Sequence, residues 1–493
     1  MRVARGGAAF LYALLAAASL TACDLAPDFM RPDTPTPPAY KEIPAAAVQD
    51  GWRAAEPNDA KPRGPWWQVF EDAQLDALEA QVTSANQDLK AAFARLGQAR
   101  AQSRVARADF FPTVTGNASY TRAQTSSTVA NVLGNKQYND FLLDADISYE
   151  VDVWGRVRNS FVAATAQAQA SAGDLAALDL STHADLAADY FMLHGLDSQV
   201  AILDQTVRDY GKALDLTRNR YHGGIAAEVD VDQAETQLET AKTQAADVKL
   251  QRAQLEHAIA ILVGQPPSLF SLPPEKLTVK PPPVDPGLPS ALIERRPDVA
   301  AAERRVAAAN AEIGVARAAF FPVINLDTLA GLETAIPSRW FSAPSRVWSL
   351  GPSSMLVLFD AGRREGLTDE ARFAYDETVA DYRTVVLEAF QTVEDDLAAL
   401  HYLEQEGVTG DAALAAAERS LRQSQLRYTG GLATYLEVVT AQNAALQSQL
   451  TDINVLTRRM STTVLLIKAL GGGWRQQGDK LDMTVPGEQA VKN

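Results

Sequence analysis

Phe141-Leu142-Leu143-Asp144-Ala145-Asp146-Ile147-Ser148-Tyr149-Glu150-Val151-Asp152-Val153-Trp154 places apolar or small residues at every odd position and, apart from Leu142 and Trp154, polar or acidic residues at every even one. Period two sustained over this length predicts a strand with two unlike faces. A second such stretch precedes it: after Pro112, Val114, Gly116, Ala118 and Tyr120 alternate with Thr113, Thr115, Asn117, Ser119 and Thr121. A half-buried sheet in a soluble domain would show the same alternation. Strands of roughly ten residues or more also suit a tilted membrane crossing, and Tyr120, Tyr149, Trp154 and Trp348 suit interfacial girdles. We therefore expect barrel strands, with Asp144, Asp146, Glu150 and Asp152 on the luminal face. Such an acidic lining favours cations.

Outward from the strands the period changes. Nothing interrupts Arg156 to Arg220, which predicts a helix of roughly 95 Å at about 1.5 Å per residue. A return helix from about Glu228 to Leu262 carries Ala234, Leu238, Ala241, Ala245 and Val248 at alternating spacings of four and three, a heptad seam. Its counterpart from Tyr435 carries Leu446, Leu450, Ile453 and Met460. Alanine in such seams lets helices approach closely and assemble side by side. On the other flank, helices starting near Asp88 and Asp298, each read as an N-cap, run to Phe-Phe-Pro stops.

The chain is duplicated. Val105-Ala106-Arg107-Ala108-Asp109-Phe110-Phe111-Pro112 recurs as Val315-Ala316-Arg317-Ala318-Ala319-Phe320-Phe321-Pro322, an offset of 210. Trp154-Gly155-Arg156 recurs as Ala361-Gly362-Arg363, and Arg220-Tyr221-His222-Gly223-Gly224-Ile225-Ala226 as Arg427-Tyr428-Thr429-Gly430-Gly431-Leu432-Ala433, both at 207. The strands recur more weakly at Ile324, Leu326, Thr328, Ala330 and Leu332, then around Val347 to Phe359. Each repeat therefore reads helix, two strands, two helices. Four strands cannot close a spanning barrel, since the smallest have about eight. A barrel must be shared between subunits.

Arg2 and Arg5, an apolar run from Ala8 to Leu20 and Leu20-Thr21-Ala22-Cys23 resemble a bacterial lipoprotein signal. The resemblance implies cleavage before Cys23 and its lipidation, anchoring the chain to a membrane surface. Removing residues 1–22 takes away two Arg and no acid, so the net charge goes from −16 to −18, which argues against nucleic acid and anionic headgroups as main partners. With one Cys there is no intrachain disulfide and no CxxC zinc framework. Beyond the leader no apolar run reaches transmembrane-helix length. Nine of 25 Pro lie from Pro27 to Pro65 and ten from Pro266 to Pro297, which marks two linkers. The division is then a signal peptide (1–22), a lipidated Pro-rich segment (23–70), repeat 1 (71–265), a Pro-rich connector (266–297), repeat 2 (298–472) and a tail (473–493).

The Cys23-Asp24-Leu25-Ala26-Pro27-Asp28-Phe29 start, Arg296-Pro297-Asp298 with Ala302-Glu303, both Phe-Phe-Pro stops and both Arg-Tyr-x-Gly-Gly turns resemble the TolC-type outer-membrane efflux proteins, in their NodT/OprM-like lipoprotein branch. The likeness covers nearly the whole mature chain. It implies an α+β membrane protein, a homotrimer in which long coiled-coil helices form an α-barrel and four strands per protomer form a 12-stranded transmembrane β-barrel. It implies an outer-membrane exit duct that extends into the periplasm and works with a periplasmic adaptor and an inner-membrane transporter. By the same resemblance Gly223, Gly224, Ile225, Gly430, Gly431 and Leu432 are adaptor-contact tips, Tyr428 is a gate tyrosine bonded to Asp230, and Glu437 belongs to an acidic pore ring. Thr440 stands where a second ring carboxylate would be, and Ala433 where some members place a gate arginine.

A type I protein-secretion duct and a non-conducting lipid-anchored envelope spacer are the alternative readings. Asp24 after the lipidated Cys resembles an inner-membrane retention signal; strands that make sense only in an outer-membrane barrel point the other way. No enzyme is expected. The five His (His183, His194, His222, His257, His401) fit no HExxH spacing, and GxSxG and P-loop patterns are lacking. Neither a cofactor nor a metal is expected, the lipid on Cys23 apart.

Overall fold

The computed structural model describes residues 24–42, 64–126, 137–284, 292–293 and 295–472. Cys23, the signal segment and the tail from 473 lie outside the described residues. Helices α1 (Ala73–Ala85) and α2 (Gln87–Ala108) lead into strands β1 (Thr113–Gln124) and β2 (Gln137–Glu150), then α3 (Arg156–His222) and α4 (Glu228–Leu262). Next come α5 (Pro297–Ala318), β3 (Val323–Thr334), β4 (Arg346–Met355), α6 (Arg363–Thr429) and α7 (Tyr435–Ala469). α3 and α6 are both 67 residues, α4 and α7 both 35, and each pair begins and ends at an offset of 207. At about 1.5 Å per residue the longer pair each extend roughly 100 Å. No described helix is long and apolar enough to cross a membrane.

Two compact units draw on both halves of the chain. The first comprises Met1–Asp33, Arg95–Ala172 and Ala301–Thr384 and holds the sheet. Its four antiparallel strands lie in the order β1-β2-β3-β4. The register sets Val114 opposite Ile147, Ala118 opposite Leu143 and Tyr120 opposite Phe141. It continues with Leu332 opposite Leu143 and Leu326 opposite Tyr149, then Trp348 opposite Ala330 and Leu350 opposite Thr328. All these side chains share one face, and that face is exposed: Trp348 at 77%, Val114 and Leu350 at 64%. The opposite face carries Asp144, Asp146, Ser148, Asp327 and Glu333, with Asp327 accepting from Ser148 Oγ at 2.9 Å and Ser353 Oγ at 3.0 Å. A sheet in water turns its apolar face inward. This one presents it to the surroundings, and among the described residues β1 and β4 each keep one unpaired edge.

The ends of the strands differ from expectation. β2 ends at Glu150, whose carboxylate takes both Nε (2.7 Å) and Nη2 (2.6 Å) of Arg156. Asp152 is therefore not a strand residue on the luminal face: it caps α3, accepting from the backbone of Val157 at 3.1 Å and Arg158 at 2.9 Å. Asp360 does the same for α6 through Arg364 N (3.2 Å) and Nε (2.6 Å). β4 likewise ends at Met355 rather than running to Phe359. Trp154 Nε1 donates to Pro322 O at 2.8 Å, and the ring stacks on Phe321.

The helix starts also move. α2 is capped by Asn86, whose Oδ1 accepts from Leu89 N at 3.0 Å, which leaves Asp88 inside the first turn. α5 begins at Pro297, a residue suited to the first helical position, and Asp298 pairs with Arg296 at 3.0 and 2.6 Å. An additional helix, α1, was not expected; Asp72 caps it through Gln74 N and Leu75 N.

The second unit comprises Thr34–Ala94, Gly173–Ala300 and Val385–Asn493. Leu75, Leu78 and Val82 of α1 join Leu186, Tyr190, Phe191 and Leu193 of α3, Ile259 of α4 and Met460 and Val464 of α7 in its main core. The seam of α4 is buried at Ala234, Leu238, Ala241 and Ala245.

Gly331 lies opposite Asp144 in the ladder, and a Cβ on it would sit 2.5 Å from Leu143 O and 2.7 Å from Asp144 Cβ. Gly331→Val should break the β2–β3 register and abolish the heat-resistant oligomer on a denaturing gel, whereas Gly116→Val, with open space around its Cβ, should retain it. Asp396 is buried, with Oδ2 unpartnered among the described residues. Burial, then the neighbouring Asp395, pushes its carboxyl up to about 7, against Lys468. The folded state thus binds more protons than the unfolded one between about pH 4 and 7. Stability should fall as pH rises through that window, and denaturation midpoints of Asp396→Asn should lose that slope.

Candidate gate at the hairpin tips

In the second unit each helical hairpin turns on the same backbone device. At the end of α3, Ile225 N donates to Arg220 O and Gly224 N to Tyr221 O, both at 2.8 Å, with Gly223 N to Asn219 O at 3.0 Å. At the end of α6, Leu432 N donates to Arg427 O (2.8 Å), Gly431 N to Tyr428 O (3.0 Å) and Gly430 N to Leu426 O (3.0 Å). This is a Schellman closure with its left-handed residue at Gly224 and Gly431, both at φ +74. A side chain is strained at such a φ. The turns leave Ile225 71% and Leu432 75% exposed.

Behind the turns lies a core of Tyr210, Leu214, Ala234, Leu238, Ala241, Tyr428, Tyr435, Val438 and Val439. Tyr428 and Tyr435 rings are 5.4 Å apart. The hydroxyls of Tyr428 and Tyr210 are buried without a hydrogen-bond partner. Burial pushes the Tyr210 and Tyr435 hydroxyls up to about 12, with smaller contributions at Tyr435 from Tyr428, Tyr210 and Asp230.

The expected Tyr428 to Asp230 bond is not made. Asp230 instead accepts from Ala227 N at 3.2 Å, closing the first turn of α4. A carboxylate three residues into a helix has its own exposed amides within reach, and those hold it. Glu437 is paired with Arg427 of its own hairpin at 3.4 Å, and both are substantially exposed. Thr440 Oγ1 is bonded back to Leu436 O at 2.9 Å. What touches Tyr428 is Arg220: its guanidinium carbon is 4.6 Å from the ring centroid, and Nη1 donates to Tyr428 O at 3.2 Å. Arg220, Tyr210 and Tyr435 were not among the expected gate residues. Arg220 stood in the sequence only as part of the repeated turn motif.

In the first unit Asp144, Asp146 and Glu150 share the polar face, Asp144 buried beside Gly331 and Glu150 neutralised by Arg156. Among the described residues no group of three or more His, Cys, Asp or Glu could hold a metal ion.

Gly431→Ala should destabilise its turn by about 1 kcal/mol. Hydrogen exchange should quicken at the last turn of α6 and leave the sheet amides unchanged.

The model of the outer membrane efflux protein family matches residues 78–265 and 288–472. The chain is 32% identical over 470 residues to the outer membrane protein OprJ of Pseudomonas aeruginosa, covering 94% of this chain and 95% of that one. It is 28% identical over 462 residues to the cation efflux system protein CusC of Escherichia coli K12, covering 93% and 98%. Among solved structures, the outer-membrane channel OprN superposes with a TM-score of 0.82 at 28% identity, covering 92% of this chain and all of that one. The open state of the MtrE outer membrane channel of Neisseria gonorrhoeae gives 0.77 at 26% identity, with coverage of 92% and 98%.

Proposed function

The chain belongs to the outer membrane efflux protein family, and on that premise we propose how its pore is closed, opened and lined. It is the outer-membrane exit duct of a tripartite efflux pump. The observation that carries this reading is a four-stranded sheet whose exposed face is the apolar one and whose two edges are unpaired. Lipid removes the penalty on that face, and copies of the chain pair the edges; three sheets of four strands close a 12-stranded barrel.

Conduction is passive: the protein supplies a water-filled path, and the pump supplies direction and choice of cargo. Asp144 and Asp146 line the strand section of that path, joined by Asp327 and Glu333 of the same face. Glu150 and Asp152 contribute less, the first paired with Arg156 and the second capping α3. At the tips, Gly223-Gly224-Ile225 and Gly430-Gly431-Leu432 offer a periplasmic adaptor two notches, each with an exposed aliphatic side chain beside it. Tyr428, Asp230 and Glu437 belong to the resting closure, which adaptor docking loosens. Lipidation at Cys23 holds the mature N-terminus at the membrane. Residues 24–33 of that terminus are fastened to the first unit: Asp24 accepts from Asn159 Nδ2 at 2.9 Å, Pro27 O from Asn310 Nδ2 at 2.7 Å, and Arg31 pairs with Glu303 at 3.1 Å. We assign no catalytic step and no cofactor to a chain of this channel family.

Reversal potentials across a planar bilayer under a salt gradient test the lining. The wild-type trimer should favour cations, and Asp144→Asn with Asp327→Asn should at least halve that preference. Equal anion and cation permeability in wild type would contradict an acidic lining.

A further inference from the structure

We infer that Arg220 is the positioning residue that latches Tyr428 in the resting duct, an inference that rests on the channel reading above. The offset of 207 equates Arg220 with Arg427, Tyr221 with Tyr428 and Asp230 with Glu437. Equivalent arginines have different fates. Glu437 is long enough to reach Arg427 across its own hairpin. Asp230 is one methylene shorter and is held by Ala227 N. Among the described residues no carboxylate pairs with Arg220, and its guanidinium crosses to the other hairpin.

There it meets two negative features at once. The face of the Tyr428 ring carries the negative part of the aromatic quadrupole. Tyr428 O, which also accepts from Gly431 N, belongs to the last turn of α6, where the helix dipole concentrates negative charge. Arg220 Nε is buried with no acceptor, so separating the hairpins would pull the guanidinium from its ring and its carbonyl together. The Tyr428 hydroxyl has no partner among the described residues, so beyond the apolar packing of Tyr210, Leu214 and Leu238, the polar hold on this tyrosine from the first hairpin is on its face and its backbone. Tyr221, at the matching place in the first hairpin, is 41% exposed. One tyrosine of the pair is therefore latched and the other is not.

The test is single-channel conductance of the full-length lipidated trimer in planar bilayers. Wild type is compared with Arg220→Gln, Arg220→Lys, Tyr428→Leu and the double variant Arg220→Gln with Tyr428→Leu. Arg220→Gln should raise resting open probability about tenfold, the size expected when a desolvated cation–aromatic contact and one charge-assisted hydrogen bond are lost. Arg220→Lys keeps the charge without the planar stacking group and should fall between. Because Arg220 acts through Tyr428, the double variant should open no further than Tyr428→Leu alone. If Tyr428→Leu opens the pore while Arg220→Gln behaves as wild type, or if the two effects add, the latch is wrong and the duct stands. If no variant conducts, Tyr428→Leu included, the duct reading fails and the latch with it. Should Arg220→Gln not form heat-resistant trimers, Arg220→Lys decides: wild-type conductance overturns the latch.

Discussion

A four-stranded sheet with Val114, Leu143, Ile147, Trp348 and Leu350 on its exposed face cannot be the end state of a chain in water. Those side chains need an apolar solvent, and the unpaired edges of β1 and β4 need backbone partners. Hydrocarbon meets the first need and makes the second absolute, because nothing in a bilayer core other than another strand can satisfy an open edge. A membrane-embedded sheet and its pairing with further copies of the chain follow from that one pair of requirements. The helices then have to leave the sheet in a fixed direction, which explains the density of charge at the junctions: Glu150 with Arg156, Asp152 on the first amides of α3, and Asp360 with Arg364.

The two long hairpins use small residues for close approach and bulky ones where the second unit has a true core. Ala234, Ala241 and Ala245 are buried in a seam that leaves little room between helices. Near α1 the packing becomes ordinary, with Tyr190, Phe191 and Leu193 filling the space under Leu75 and Leu78. His183 and Glu79 are buried there as a pair under the stacked ring of Trp67, with Thr83 on the other ring nitrogen. The pair ties α1 to α3 through Glu79 Oε2 and His183 Nδ1, while Glu79 Oε1 is buried without a partner among the described residues.

At the tips, identical backbone and unlike side chains divide the work. Both turns close with the same hydrogen bonds and the same glycine dihedral, so the tip geometry is a property of the duplicated chain. Asp230 is one methylene shorter than Glu437; Glu437 pairs with the exposed Arg427, whereas Asp230 accepts from Ala227 N and Arg220 lies against the buried Tyr428. The two tips of a duplicated chain thereby differ in one contact: Arg220 crosses to the other hairpin, and Arg427 stays within its own.

The long helices were legible because their period is local: the ends of α4 were read at the residues where they lie, and the four strands within a few positions. Repeat and alternation sufficed for the order of elements and for a barrel shared between subunits, since side-chain period and strand count are properties of the chain alone; the trimer and its α-barrel were implied by the family resemblance. The misread places are those where one polar side chain chooses between partners distant in sequence or close by. Asp152 reads as a strand residue by parity and becomes a helix cap because the free amides of α3 are nearer than any lumen. Asp230 reads as a partner for Tyr428 and is taken by its own helix, while Arg220, 208 residues from Tyr428, makes the contact instead. Local residue pattern carries the long helices, the strands, their duplication and the solvent each face requires. Which charged group meets which was decided only by the tertiary structure, because electrostatic and hydrogen-bond energies depend on ångström distances that periodicity does not encode.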